Sequence, residues 1–167
     1  MARSGYALAA AVLLADQASK YWVLDVLQLD QRAGIDVTSF FRLTFVGNAG
    51  VSMGMLQADS DLGRWLLTFI TAGIAVAVAL WLRREKHAVD VAALGLVLGG
   101  AMGNIIDRVR FGHVVDFLHF FWEQYSFWVF NVADAAITVG VLLLLGRAVM
   151  ARPDEPSNEA SKDAKDA

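Results

Sequence analysis

The chain contains no cysteine, so neither a disulfide nor a thiol nucleophile is available to it. Charge is scarce: Asp, Glu, Lys and Arg make up 19% of the 167 residues, against about 25% in an ordinary soluble domain. The net charge of −3 comes without a basic stripe, the footprint that nucleic-acid binding needs. No HExxH motif is present. No internal repeat is visible either, which weighs against a transporter built from inverted halves.

What fills the chain is apolar. Hydrophobic residues reach 57% and the mean hydropathy is +0.49, and the excess is gathered into runs. Four segments, 5–27, 62–82, 89–108 and 127–148, each approach the roughly 20 residues that cross a hydrocarbon core of about 30 Å. The first, GYALAAAVLLADQASKYWVLDVL, is interrupted by Asp16 and Lys20. A cleavable signal peptide is its alternative reading; the apolar run resuming as YWVLDVL argues for a retained helix. Arg3, the Arg83–Arg84–Lys86 loop, and Arg147 with Arg152 fall on one side of a four-span topology. The positive-inside rule makes that side cytoplasmic.

The stretch 35–58 alternates in part, with Phe41, Leu43 and Phe45 facing one way and Arg42 and Thr44 the other, as in short strands outside the membrane. The tail 151–167 has few apolar residues and is expected to be disordered and cytoplasmic. The fold class is thus an all-α integral membrane protein: four transmembrane helices, with a small extracytoplasmic β-platform between helices 1 and 2. Residues 1–150 form one domain.

On this topology the polar residues gather at one depth. Asp16 and Lys20 lie in the outer half of segment one, Asn104 and Asp107 at the outer end of segment three, and Asp116 in the outer loop. Asn131 and Asp134 lie about 6 and 10 Å below the outer end of segment four. Ionisable residues inside a membrane are expensive and mark function by default. Bland readings compete. Asp16 and Lys20, spaced i, i+4, can simply pair. Asp107 and Arg108 sit at an interface, where charge is cheap and a structural role is favoured. Asn131 can cap a helix or bond a neighbour. Asp134 is harder to dismiss, because nothing basic lies within four residues of it.

Asp116 is its simplest partner. Two close carboxylates cannot both ionise cheaply, so one keeps its proton and the pair titrates as a unit. One member can then deprotonate water while the other polarises a carbonyl, which is peptide hydrolysis without metal, thiol or serine. Rival chemistries are weaker. Ser52 stands in a GxSxG match, GVSMG at 50–54, but without the strand–turn–helix setting of a hydrolase. His113, Asp116 and His119 are spaced for a metal, yet the same stretch also reads as an amphipathic interfacial segment. A small transporter or proton-coupled channel using Asp16, Lys20 and Asp134, and a non-catalytic assembly factor, are further readings.

Four blocks, ADQASKYW (15–22), GNAGVSMGM (47–55), GGAMGNIIDRVRFGHVVDFL (99–118) and FNVADAAI (130–137), resemble the bacterial lipoprotein signal peptidase family, signal peptidase II. The resemblance implies four transmembrane helices in the inner membrane, both termini cytoplasmic, and a periplasmic β-cradle. It also implies a metal-independent aspartyl endopeptidase needing no cofactor. Such an enzyme removes signal peptides from prolipoproteins on the amino side of a diacylglyceryl-cysteine. By position the catalytic aspartates fall on Asp116 and Asp134. The cleft-shaping residues fall on Asp16, Lys20, Asn48, Gly50, Gly100, Asn104, Arg108, Asn131 and Ala133. Membrane lipids, prolipoproteins and globomycin-type inhibitors are the implied partners of a monomer. Val51, Ser52 and Met53 depart from the family's usual small residues and aromatic, which bears on the outer cleft's shape.

Overall fold

The structure is a computed structural model, and it describes residues 1–50, 61–123 and 125–150. Four helices form a bundle: α1 (Ala2–Tyr21), α2 (Asp61–Arg84), α3 (Ala88–Phe111) and α4 (Val132–Met150). A sheet closes one end, built from β1 (Ile35–Asp36), β2 (Phe41–Asn48), β3 (Val114–Trp122) and β4 (Tyr125–Phe130). Helices α2, α3 and α4 are each long and apolar enough to cross a membrane. In its most apolar stretch α3 is 61% buried, against 17% for α2 and 11% for α4, so α3 is the central post. The others turn their leucines, valines and aromatics outward: Phe69 is 69% exposed and Leu142 62%. Such faces are stable only in lipid.

Glycine lets the helices approach closely. A Cβ at Gly95 would stand 2.6 Å from the Gly5 carbonyl, and one at Gly99 2.5 Å from the Ala9 carbonyl, both on α1. On the other flank a Cβ at Gly100 would collide with the Ala133 carbonyl of α4. Small residues at such crossings supply the backbone packing that drives helix association where lipid removes the hydrophobic incentive. Ala9, Leu82, Leu94 and Leu98 fill the space between α1, α2 and α3. At the far end Arg147 pairs with Asp90 at 3.3 Å.

Beyond Tyr21 the first helix loosens into a π-helical turn, Trp22–Val26. A second apolar cluster forms there: Val23 and Leu29 meet Leu43, Val115 and Phe117 of the sheet. The sheet is antiparallel throughout, in the order β1-β2-β3-β4.

Three expectations change. The platform is not confined to the segment between the first two helices, because β3 and β4 come from the segment joining α3 to α4 and the fold is not all-α. The alternation in VVDFLHFF explains β3: Val115 and Phe117 enter the apolar cluster and Asp116 faces the other way. Residues 127–130, expected from sequence to open the last span, belong instead to β4; their unbroken apolar run FWVF reads equally as helix or strand. The first helical residue of α4 is therefore Val132, which puts Asn131 at the helix boundary and Asp134 in its first turn rather than about 10 Å inside it. The GVSMG serine, Ser52, with Val51 and Met53, and the tail lie outside the described residues, as does the end of the 35–58 stretch.

Candidate active site

The start of α4 is built by a reciprocal cap. Asn131 Oδ1 accepts the Asp134 backbone N–H at 2.9 Å, while an Asp134 carboxylate oxygen takes the Asn131 backbone N–H at 3.4 Å. This satisfies amides that a helix end leaves without partners. The cap also leaves the Asn131 amide nitrogen pointing across the bundle. It donates to Asp116 Oδ1 at 2.6 Å and to Asn104 Oδ1 at 3.3 Å. Asn104 Nδ2 in turn donates to Asp134 Oδ1 at 2.8 Å. The second oxygen of Asp116 accepts from Asn48 Nδ2 at 2.9 Å. Two aspartates from β3 and α4 are thus held by three asparagines from β2, α3 and the α4 cap. Asn131 bridges them and is itself fully buried.

Register explains how Asn48 arrives. Antiparallel pairing sets Val46 opposite Asp116 and Asn48 opposite Val114, so the strand end carrying Asn48 runs beside the carboxylate. The chain then turns: Asn48 Oδ1 accepts the Gly50 N–H at 2.8 Å, and Gly50 has φ +93°, a conformation costly for any residue with a Cβ. The open side of Asp116 is a cleft of about 340 Å³ lined by Val46, Gly47, Asn48, Ala49, Gly50, Trp128 and Val129. Trp128, at its lip, is 91% exposed.

Burial and the neighbouring charge on Asp134 push the Asp116 carboxyl up to about 6, although Asn48, Asn131 and Lys20 pull the other way. Arg108 brings a cation near Asp134, Asp107 and Asp116. Among the described residues its buried Nε has no hydrogen-bond partner, so the guanidinium keeps donor capacity for another molecule.

Asp16 and Lys20 do not reach this cleft. They lie beneath it as two members of a buried triad whose third is Asp107, expected from sequence to be a structural charge at the interface. Lys20 Nζ is 2.8 Å from Asp16 and 2.7 Å from Asp107, and all three residues are at most 2% exposed. Asp107 is not at an aqueous interface, because the sheet covers it and Val115 N–H donates to it at 3.0 Å. Asp16 Oδ1 accepts the Ala133 N–H at 3.0 Å, one residue before Asp134. Gln17 Nε2 bridges the two carboxylates at 3.2 and 3.0 Å. The triad ties α1, α3, β3 and the start of α4 together. The nearest sequence signal for Asp107 is its i, i+3 spacing from Asn104 on one face of α3. Gly100 and Ala133 are the close contact between α3 and α4.

The histidines do not join the aspartates. His119 Nε2 is 2.7 Å from Ser126 Oγ, and His113 packs edge-on to Phe45. Among the described residues no group of three His, Asp or Glu side chains converges as a metal-binding set.

Comparison with known proteins gives the family. Residues 8–150 match the family model described as signal peptidase (SPase) II. The lipoprotein signal peptidase of Rhizorhabdus wittichii is 54% identical over 149 residues, covering 89% of this chain and 87% of that protein. That of Sphingopyxis alaskensis is 48% identical, covering 89% and 86%. A solved bacterial membrane enzyme, determined by the in meso method at 2.3 Å, superposes with a TM-score of 0.75 at 27% identity, covering 92% of this chain and 93% of its own. On these grounds the chain belongs to the signal peptidase II family.

Proposed function

We propose that this protein cleaves the signal peptide from prolipoproteins, on the amino side of the diacylglyceryl-modified cysteine, by aspartyl chemistry at Asp116 and Asp134. The observation that carries the reading is the single hydrogen-bonded network joining both carboxylates through Asn131, whose side-chain amide donates to Asp116 and whose backbone N–H donates to the Asp134 carboxylate.

The two carboxyls are unequal. Asp116, raised to about 6, keeps its proton to higher pH than an ordinary carboxyl and serves as the acid. Asp134, in the first turn of α4, serves as the base. Asp134 takes a proton from water as the hydroxyl adds to the scissile carbonyl carbon. Asp116 gives its proton to the carbonyl oxygen. When the tetrahedral intermediate collapses, the C–N bond breaks, Asp134 passes its proton to the departing nitrogen, and Asp116 recovers its own. No metal enters the scheme. Arg108, with its spare donors, and Asn48 contact substrate carbonyl or lipid phosphate.

All four helices span the inner membrane in this reading, with both termini cytoplasmic and residues 1–150 as one domain. The support is the basic Arg83–Arg84–Lys86 turn at the end opposite the sheet. The dyad then sits at the periplasmic interface, where water reaches it and where a lipidated cysteine ends the substrate's own membrane helix. A monomer suffices, and globomycin-type inhibitors would occupy the same cleft. A proton-coupled channel needs titratable groups through the full depth. Among the described residues the buried charges all lie at the sheet end.

Purified protein should cleave a lipidated precursor at the same rate with and without a chelator. Asp116→Asn and Asp134→Asn should each abolish cleavage while the protein remains folded, the loss exceeding the about 10²–10⁴-fold of a single proton-transfer contribution. Full activity in either variant would refute the dyad.

A further inference from the structure

A second cleft is larger than the one beside Asp116. It lies on the opposite face of the same strands, with a volume of about 450 Å³, within the roughly 300–1,000 Å³ of small-molecule sites. The sheet is a shared wall. Phe45 and Val115 line this cleft, while their chain neighbours Val46 and Asp116 line the other, as strand alternation requires.

Its rim carries both signs of charge in separate places. Asp25 and Asp30 come from the segment where α1 has opened into a π-helical turn. Arg110 and His113 come from the end of α3 and the start of β3. Arg110 is held over the Phe111 ring at 4.9 Å. Among the described residues none of these four forms an ion pair. Arg110 thus presents a donor fork without an ion-pair partner among the described residues, the geometry that grips phosphate, and the two carboxylates line the same cleft. Asp25, Asp30 and Arg110 sum to −1, so an anionic guest would add negative charge to a site already negative, whereas a zwitterion would not.

The surroundings say where the guest comes from. Tyr21 and Trp22, close in sequence to the lining residues Leu24 and Asp25, are 63% and 48% exposed, and the lining residue Phe111 is 39% exposed. Tyr and Trp in such positions sit at the headgroup level of a bilayer. α1 and α3 both end here, beside lipid-facing apolar surface.

We propose that this second cleft binds the headgroup of a zwitterionic amine phospholipid, its phosphate on Arg110 and His113 and its ammonium on Asp25 and Asp30. The ammonium must carry N–H donors, because a carboxylate gains hydrogen bonds from –NH₃⁺ that a trimethylammonium cannot offer.

The test uses the purified full-length chain in maltoside micelles, supplied with equal amounts of phosphatidylethanolamine, phosphatidylglycerol and phosphatidylcholine of the same acyl chains. Native mass spectrometry counts the lipid retained. Phosphatidylethanolamine should be held about tenfold more than either other lipid, a difference of one decade in affinity. Arg110→Ala and the Asp25→Asn/Asp30→Asn double variant should each remove the preference without lowering the unfolding temperature. Should either variant fail to fold, competition on the unaltered protein decides. Soluble phosphoethanolamine should displace the lipid and inorganic phosphate should not. Equal retention of the three lipids, a preference for phosphatidylglycerol, retention untouched in both variants, or equal displacement by phosphate would each overturn the assignment. The readout is binding, so it stands apart from whether Asp116 and Asp134 hydrolyse peptide.

Discussion

Replacing Lys20 with methionine isolates the buried triad. The lysine ammonium lies 2.8 Å from Asp16 and 2.7 Å from Asp107, with its side chain 3% exposed and both carboxylate side chains fully buried. Methionine keeps most of the volume and removes only the charge. Two carboxylates then remain buried with no cation between them. At an effective dielectric of 20, each lost attraction at about 4 Å is worth about 4 kcal/mol. Part is returned because the lysine no longer needs desolvating. Measured losses on breaking one partner from a buried ion pair run to about 3–5 kcal/mol, out of a total stability of about 5–15 kcal/mol. On the usual scale for a chain of this length that lowers the unfolding temperature by about 6–20 °C.

The assay is thermal unfolding in detergent, followed by intrinsic fluorescence, for the parent, Lys20→Met, and Lys20→Met combined with Asp107→Asn. The double variant should recover part of the loss, since a single buried carboxylate remains and Asp16 still holds the Ala133 N–H. Arg42→Ala, which breaks an exposed pair with Asp36, is the control and should leave the unfolding temperature where it was. The reasoning fails if Lys20→Met melts with the parent, or if the double variant melts below the single one.

The remaining expectations concern the dyad. With Asp116 raised to about 6, its proton is lost as pH climbs through that value, so kcat/KM for cleavage should fall on the alkaline side; a profile that rises there would contradict the assigned roles. The folding linkage has the same sign. The folded state keeps this proton longer than the unfolded chain does, so Asp116 contributes less stability as pH rises from 3.8 to about 6 and a constant amount above. Asp116→Asn should therefore stabilise the fold more at pH 8 than at pH 4, measured by unfolding at both. Asn131→Ala removes a helix cap, typically about 1 kcal/mol, and the donor to Asp116. It should lower cleavage far more than it lowers the unfolding temperature. Gly100→Val drives a side chain into the Ala133 carbonyl and should part α3 from α4, read as a lower unfolding temperature with loss of cleavage.

Much of the molecule was legible in one dimension because lipid imposes a blunt rule. A backbone in hydrocarbon must satisfy its own hydrogen bonds, so long apolar runs announce helices, and α2 and α3 stand close to where composition puts them. The cost of a charge in that setting singled out Asp134 and Asp16 before any geometry was known. The four motif blocks carried the family.

What the tertiary structure alone decided is everything that rests on pairing between distant segments. β2 meets β3 across some 70 residues, and no local pattern records that. This pairing converts an apparent interfacial segment into a strand and carries Asn48 to Asp116, and the further pairing of β3 with β4 takes residues 127–130 from the top of a helix. Asp107 looked like an interfacial charge because burial is a property of neighbours, and its neighbours are Lys20 and Val115. Which chemistry the chain could hold was written in its residue types; where each charge would find its partner waited on contacts that only folding makes.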